Sequence, residues 1–370
     1  MKILFCTNAY EVVSNGPAKF AHLLLKINEL YPQHEIKILT EDITNPDEQS
    51  VYKQTLRIPK MYRKLGMFLR MFQYHRRAME IKRNDFNFDH LVYNNAIVAL
   101  WSGLKFKNTV GFINDDNNSN ISWKKGIFGF KWSKPHLFFL VEKLACRSCN
   151  KIVVNSQYLL KELTTKYKIP RHKIFLLYKS IAPVNKVSRT ENAIPVILFV
   201  KNDYIRGGLF TLIDALKELK INVHLIIAGI ADPEIPRIIH YLRNVSFQYN
   251  LNGIIKQQEV FELMKRADIF CVPSFQEALG VANIEAMAHG CSIISSNSGG
   301  IPEVLDNGSC GWMIEAGHVS QLKEAIKECL NNETLREEKK SNALKMINKF
   351  QLELMLQNFL TIISVNGKSA

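Results

Sequence analysis

Glu277 and Glu285 stand eight residues apart in the stretch 273–290, Pro-Ser-Phe-Gln-Glu-Ala-Leu-Gly-Val-Ala-Asn-Ile-Glu-Ala-Met-Ala-His-Gly. Two glutamates at that spacing are common and ordinarily face water; their context is what singles them out. Residues 267–273, Ala-Asp-Ile-Phe-Cys-Val-Pro, are apolar and β-prone, as a buried parallel strand is. Residues 281–289 have helical composition, and Gly290 supplies the stop. Glu277 therefore falls in the loop beyond the carboxyl end of a strand, the edge at which open α/β sheets bind ligands. A helix beginning near Gly280 turns its first N–H groups and its positive dipole end toward an anion such as a pyrophosphate. Glu285, on the next turn, is placed to accept hydrogen bonds from a ribose diol, and Glu277 from the hydroxyls of a sugar. The chemistry these residues suit is recognition of a sugar joined to a nucleotide.

The elements that must position them repeat along the chain. Strands are predicted at 2–7, 35–40, 91–93, 110–113, 151–155 and 174–177, with helical stretches between them, the first being the amphipathic run 20–30 after the turn Asn15-Gly16-Pro17. A polar, Pro-bearing passage ends at Pro195, and a second series begins: strand 196–200, helix 208–220, strand 222–228, helix 234–242, strand 245–249, helix 258–266, then the motif and a helix at 320–331. Alternation of this kind predicts parallel sheets. The expected organisation is an N-terminal domain 1–183, a linker 184–195 and a second domain 196–349. A last amphipathic helix follows within 350–370.

With Pro273-Ser274, Glu277, Gly280, Glu285-Ala286-Met287-Ala288, Gly290, an apolar strand and Gly299-Gly-Ile-Pro-Glu-Val304 in order, the chain resembles the retaining glycosyltransferases of family four. The likeness is tightest over 196–316. It implies an α/β GT-B fold, two Rossmann-like domains facing each other across a cleft, with the terminal helix crossing back to the first. It also implies transfer of a sugar from a nucleotide-sugar donor to a glycan or lipid-linked acceptor, in the building of a cell-surface polysaccharide. The nucleotide sugar would be a substrate, so no cofactor is implied.

A diphosphate leaving group needs positive charge beside it, from Lys, Arg and backbone donors where no metal serves. The family usually has Gly-Arg after the first strand of its second domain and Lys-Gly some residues later. At this place the chain reads Phe199-Val-Lys-Asn-Asp-Tyr-Ile-Arg206-Gly-Gly208, so Lys201 and Arg206 are the candidate cations, exchanged or shifted, with Asn202 at the first position if the register moves by one. The catalytic candidates are Glu277, Arg206, Lys201 and Asp115. Asn114-Asp115 stands where many members carry a His facing the acceptor. Asp115 is then a polar partner to the acceptor or a simple turn cap, or else the leaving phosphate acts as base. Donor-binding roles are implied for Glu285, Ala278, Leu279, Gly280, Gly16, Gly229 and, in the base-side loop, Ile254 and Ile255. The pair Gly299-Gly300 would shape the site, and Glu303 would cap the next helix.

No metal is expected: the acidic cluster 114–118 lacks Asp-x-Asp spacing, and Cys146 and Cys149 lie in a helical stretch with no second pair. Seven cysteines, an odd number mostly in predicted core elements, suit a reducing compartment. There is no apolar run of membrane-spanning length, and the amino terminus reads as a strand rather than a signal. The cytoplasm is the expected location, with a peripheral place on the inner face of the cell membrane.

Charge is unevenly spread. Residues 1–183 hold 29 of the 48 Lys and Arg and 14 of the 34 Asp and Glu, a net +15, so the remainder nets −1. Residues 60–77 carry six Lys or Arg and no acid, with Met67, Phe68, Met71 and Phe72 able to share a face; 123–132 repeats the mixture of Lys and aromatics. Either such a segment lies on an anionic membrane surface, or 65–80 is a core helix with a solvated basic face. A nucleotide-sugar 2-epimerase of the same fold is the alternative enzyme. A basic nucleic-acid binder is the alternative of another class, disfavoured because no nucleic-acid motif is present and two carboxylates would repel phosphates.

Overall fold

The structure is a computed structural model that describes residues 1–11, 16–44, 50–56, 66–118, 125–126, 129–130, 134–181 and 192–365. The chain divides into two compact units, Met1–Tyr178 with Glu353–Ala370, and Lys179–Leu352. Residues 184–191 of the predicted linker fall outside the described residues, as do 60–65 and the side chains of 123–132.

Unit 1 contains strands β1 (Lys2–Cys6), β2 (Glu35–Thr40), β3 (Val51–Lys53), β4 (His90–Tyr93), β5 (Thr109–Ile113), a small hairpin β6 (Lys125–Gly126) and β7 (Gly129–Phe130), β8 (Lys151–Val154) and β9 (Ile174–Leu176). Its helices are α1 (Gly16–Leu25), α2 (Ile27–Leu30), α3 (Gly66–Asn84), α4 (Leu100–Lys105), α5 (Lys134–Ser148) and α6 (Gln157–Thr165). The parallel sheet runs β3-β2-β1-β4-β5-β8-β9, so the order reverses between β1 and β4. Its strands β1, β5 and β8 are mainly apolar runs, buried throughout except for Lys2 at the start of β1, because helices cover both faces.

In unit 2 the strands are β10 (Val196–Val200), β11 (His224–Ala228), β12 (Gln248–Leu251), β13 (Ile269–Val272), β14 (Ser292–Ser296) and β15 (Trp312–Ile314). The helices are α7 (Leu209–Leu219), α8 (Ile235–Tyr241), α9 (Gln257–Arg266), α10 (Val281–Ala288), α11 (Ile301–Val304), α12 (Val319–Asn331) and α13 (Glu333–Met346). Here the order is β12-β11-β10-β13-β14-β15, with the reversal between β10 and β13. A reversal leaves a crevice at the carboxyl edge, since the crossovers on its two sides go to opposite faces. Glu277 follows β13 and Lys201 follows β10, so the two candidate residues flank that crevice.

The terminal helix α14 (Leu352–Ser364) belongs to unit 1 from Glu353 on. It buries Met355, Leu356, Phe359 and Ile363, with the Phe359 ring 6.4 Å from that of Phe112 on β5. Its last turn is closed by Lys151, whose buried ammonium donates to the Ile362 and Ile363 carbonyls at 2.6 and 2.7 Å. A cation on helix-end carbonyls satisfies acceptors that have no intrahelical donor.

Several expected boundaries moved. The first helix opens at Gly16 instead of Phe20, and a break after Leu25 splits it. The strand expected at 245–249 forms at Gln248–Leu251, an edge strand that is mostly exposed. Of the basic segment 60–77, the part from Gly66 is helical; Met67, Phe68 and Met71 pack against Ile97 and Val141, whereas Phe72 is exposed. The stripe expected on one face is therefore divided between core and surface. All seven cysteines are free and buried.

Candidate active site at the switch points

The loop after β13 is held by its neighbours through backbone contacts. Ser274, itself buried, has its carbonyl accepting from the Ser296 hydroxyl, and the Ser295 hydroxyl donates to the Val272 carbonyl at 2.7 Å. From β10 the loop 201–208 reaches across: the Phe275 N–H donates to the Arg206 carbonyl at 2.8 Å. Gly208 makes this approach possible, with φ of 77° and a position where a β-carbon would meet the Pro273 carbonyl oxygen at 2.3 Å. From β14, the Gly300 N–H donates to the Glu277 carbonyl at 3.0 Å, and a β-carbon on Gly299 would sit 1.7 Å from that same oxygen. Three loops thus converge on Glu277.

Glu277 uses its carboxylate on Lys201, whose ammonium forms an ion pair with Oε2; both side chains are about three-quarters buried. The pair places a cation and an acceptor side by side at the crevice. Gly280, at φ of 92°, then turns the chain into α10, whose first N–H groups have no intrahelical acceptor. Ala278 and Leu279 are buried in this turn. Glu285 is buried one turn into α10 and accepts from Gln257 at 3.3 Å. Gln257 opens α9, so the base-side loop with exposed Ile254 and half-buried Ile255 adjoins Glu285. Gly229, at φ of 90°, donates to the Gly253 carbonyl at 2.9 Å and lies beneath Asn202.

Unit 2 therefore brings together Glu277, Lys201, Ala278, Leu279, Gly280, Glu285, Gly229, Ile254 and Ile255 on one sheet edge. Arg206 has a part-exposed side chain with Nε 4.0 Å from Asp203, while its N–H donates to Asp203 Oδ1 at 3.0 Å and its carbonyl accepts from Phe275. Lys201 is the cation that reaches Glu277. Gln257 and Ser296 were given no role in the sequence, and Ser274 entered only as part of the Pro273-Ser274 motif. A polar residue at the start of a helix and serines flanking β13 and β14 were the available signals.

Asp115 and Gly16 belong to unit 1. Asp115 accepts the Asn117 N–H at 3.0 Å, the turn-capping role, and also lines a cavity of about 640 Å³ at the β1/β4 switch point. Gly16 opens α1, and a β-carbon there would meet nothing within 4 Å among the described residues. The cavity wall includes Thr7, Asn94, Asn114, Arg70 and Glu142. Asn114 donates to the Asn94 carbonyl at 2.6 Å and leaves a buried amide oxygen without a partner. Arg70 is paired with Glu41 at 2.6 Å.

Glu142 is the unforeseen titratable group of this wall. It lies in α5, is buried, and accepts from Tyr167 and from Asn118, the latter at 3.0 Å. Burial pushes its carboxyl up to about 7, against the lowering by those two donors. An unfolded glutamic acid ionises near 4.5, so between that value and about 7 the folded chain holds a proton that the unfolded chain has lost. The resulting stability is complete below pH 4.5 and is lost as pH rises through 7, with a span on the order of 3 kcal/mol. Glu142→Gln is expected to flatten the fall in Tm between about pH 5 and 8 relative to the parent. Melting curves of both proteins across that range check it; parallel curves would refute a raised carboxyl.

Among the described residues no group of three or more His, Cys, Asp and Glu is arranged to hold a metal ion. No described helix is long and apolar enough to cross a membrane.

The family profile described as "Glycosyl transferases group 1" matches residues 181–346, and "Glycosyltransferase Family 4" matches residues 22–183. An uncharacterized glycosyltransferase of Methanocaldococcus jannaschii is 25% identical over 358 residues, 95% of each chain. Several other curated relatives align over only 38% of their own length. Among solved structures, sucrose-phosphate synthase from Thermosynechococcus elongatus matches with a TM-score of 0.76 at 16% identity, covering 98% of both chains. Anabaena HepE in complex with UDP-glucose matches with a TM-score of 0.73 at 18% identity, covering 99% of this chain and 100% of that one. Two switch-point sheets and these matches define a GT-B enzyme that transfers sugars. The chain belongs to the glycosyltransferases of family four.

Proposed function

We propose that this glycosyltransferase takes a nucleotide sugar at the β10/β13 crevice and moves the sugar, with retention, to a hydroxyl of a glycan or lipid-linked acceptor during cytoplasmic assembly of a cell-surface polysaccharide. The observation that carries the reading is the Glu277–Lys201 pair beside the amino end of α10. The diphosphate lies between that helix end and Lys201, and Glu277 is released to accept sugar hydroxyls. Glu285 takes the ribose diol. Ile254 offers an apolar surface toward the base. As the sugar–phosphate bond breaks, charge grows on the leaving oxygen where the ammonium and helix N–H groups already point. A leaving phosphate that accepts the acceptor's proton on the same face gives retention without a protein base. The reading needs no cofactor beyond the donor substrate. The complex of HepE with UDP-glucose supports a nucleotide-sugar donor.

A thermal-shift screen against UDP-, GDP- and ADP-sugars tests this. A cognate donor at a hundred times its Kd is expected to add about 2.7 kcal/mol of stability. In Glu285→Ala that gain should largely vanish. A screen in which no nucleotide sugar raises Tm would remove the reading. Interconversion of the donor sugar without acceptor would replace it by epimerisation.

A further inference from the structure

Five large apolar side chains of unit 1 are exposed on three helices: Phe72 (54%) on α3, Trp101 (43%) and Leu104 (69%) on α4, and Leu137 (44%) and Leu144 (53%) on α5. The helices abut. His75 on α3 lies 3.2 Å from the Ser102 hydroxyl of α4. A β-carbon on Gly103 of α4 would meet the Ser148 hydroxyl oxygen of α5 at 2.4 Å. Phe72 is one turn from His75, Leu144 one turn from Ser148, and Trp101 and Leu104 bracket Ser102-Gly103, so these four gather along one seam. Leu137 lies two turns further along α5.

The charges beside them are mostly of one sign. Arg76, Lys105, Lys107 and Arg147 are exposed on or next to these helices. Helices α3, α4 and α5 contain two carboxylates: Glu80, beyond the seam on α3 and paired with Arg77 at 2.7 Å, and Glu142, which is buried. Monomeric proteins seldom leave a contiguous apolar seam open without a use for it. A Trp and leucines fringed by Lys and Arg match the headgroup boundary of a bilayer with anionic lipid: the apolar tips enter and the long cations, in excess over the one exposed carboxylate, reach phosphates. A nucleic acid would use the cations and leave the leucines without a role. A second copy of the same face would set like charges against each other.

We propose that the α3–α4–α5 face of unit 1 is a docking surface for an anionic membrane. It is independent of the donor-site reading, and it differs from the stripe suggested by residues 60–77, because Met67, Phe68 and Met71 are engaged inside.

Co-sedimentation with vesicles of phosphatidylglycerol and phosphatidylcholine, and with phosphatidylcholine alone, tests it at low and physiological salt. The parent is expected to bind the anionic vesicles at least about tenfold more tightly than the neutral ones. Leu104→Glu with Leu144→Glu, both exposed positions, should weaken that binding by about tenfold or more while Tm and donor binding stay unchanged. Lys105→Glu with Lys107→Glu should do the same through charge, and Leu344→Glu, exposed on α13, should not. Absence of binding to anionic vesicles at low salt overturns the proposal. So does equal binding by both double variants, or a parent dimer that the leucine substitutions dissociate.

Discussion

Glu277→Ala is expected to slow sugar transfer by about 10²–10³-fold, the loss that follows removal of one preorganised group facing developing charge. The size rests on two jobs done by one carboxylate. It holds the Lys201 ammonium at the crevice, and it is the acceptor nearest the proposed sugar hydroxyls. Without it Lys201, three-quarters buried, loses its partner and its position. Lys201→Ala should cost a similar factor by the converse route, leaving a lone carboxylate beside a diphosphate. Because the two act as a unit, the double variant should cost clearly less than the product of the single losses. Nucleotide release with acceptor present measures all three. A Glu277→Ala enzyme within about tenfold of the parent, or 1.4 kcal/mol of barrier, would show that the site lies elsewhere. Arg206→Ala is the informative companion. Its carbonyl holds Phe275 in either case, so only the guanidinium is lost and the effect should be smaller than that of Lys201→Ala.

That ordering of the two cations comes from the fold alone. Motif order placed both in one loop, but which one reaches Glu277 depends on how the loop folds over β11 and β13, and spacing does not carry that. Elements with strong apolar runs were legible: β2, β10 and α12 fall within a residue of their expected bounds. Those defined by something else were not. Helix α13 is polar on most of its surface and shows no stripe, and β3 is a three-residue edge strand. β12 is an exposed edge whose position is set by pairing with β11, so the apolar Val245 and Phe247 drew the expectation too early. The carboxylates of the donor site were visible because local order, strand then turn then helix, positions them. Glu142 was invisible for the opposite reason. Its carboxyl is raised by burial that only the assembled unit creates, against the lowering by its donors Tyr167 and Asn118, 25 and 24 residues away.

Gly299→Ala is expected to destabilise unit 2 by about 3 kcal/mol and to lower Tm by roughly 6–12 °C. Two costs add. At φ of 59° an alanine enters a region that L-residues seldom occupy, and its β-carbon would lie 1.7 Å from the Glu277 carbonyl oxygen, an atom that is backbone and cannot rotate aside. The loop after β14 must then retreat from the loop after β13, breaking the Gly300 to Glu277 hydrogen bond of 3.0 Å. Glu277 moves with it, so transfer should fall even at temperatures where the variant is fully folded, and donor-dependent stabilisation should shrink in step. Gly16→Ala supplies the contrast. That glycine opens α1 with open space around it, so alanine should leave Tm unchanged or slightly raised. Melting curves and initial rates for the two variants separate the cases. A Gly299→Ala protein with parental Tm would mean that the two loops are not in contact, and the support proposed for Glu277 would go with it. A Gly16→Ala protein with parental Tm but a severalfold lower rate would assign that open space to a ligand.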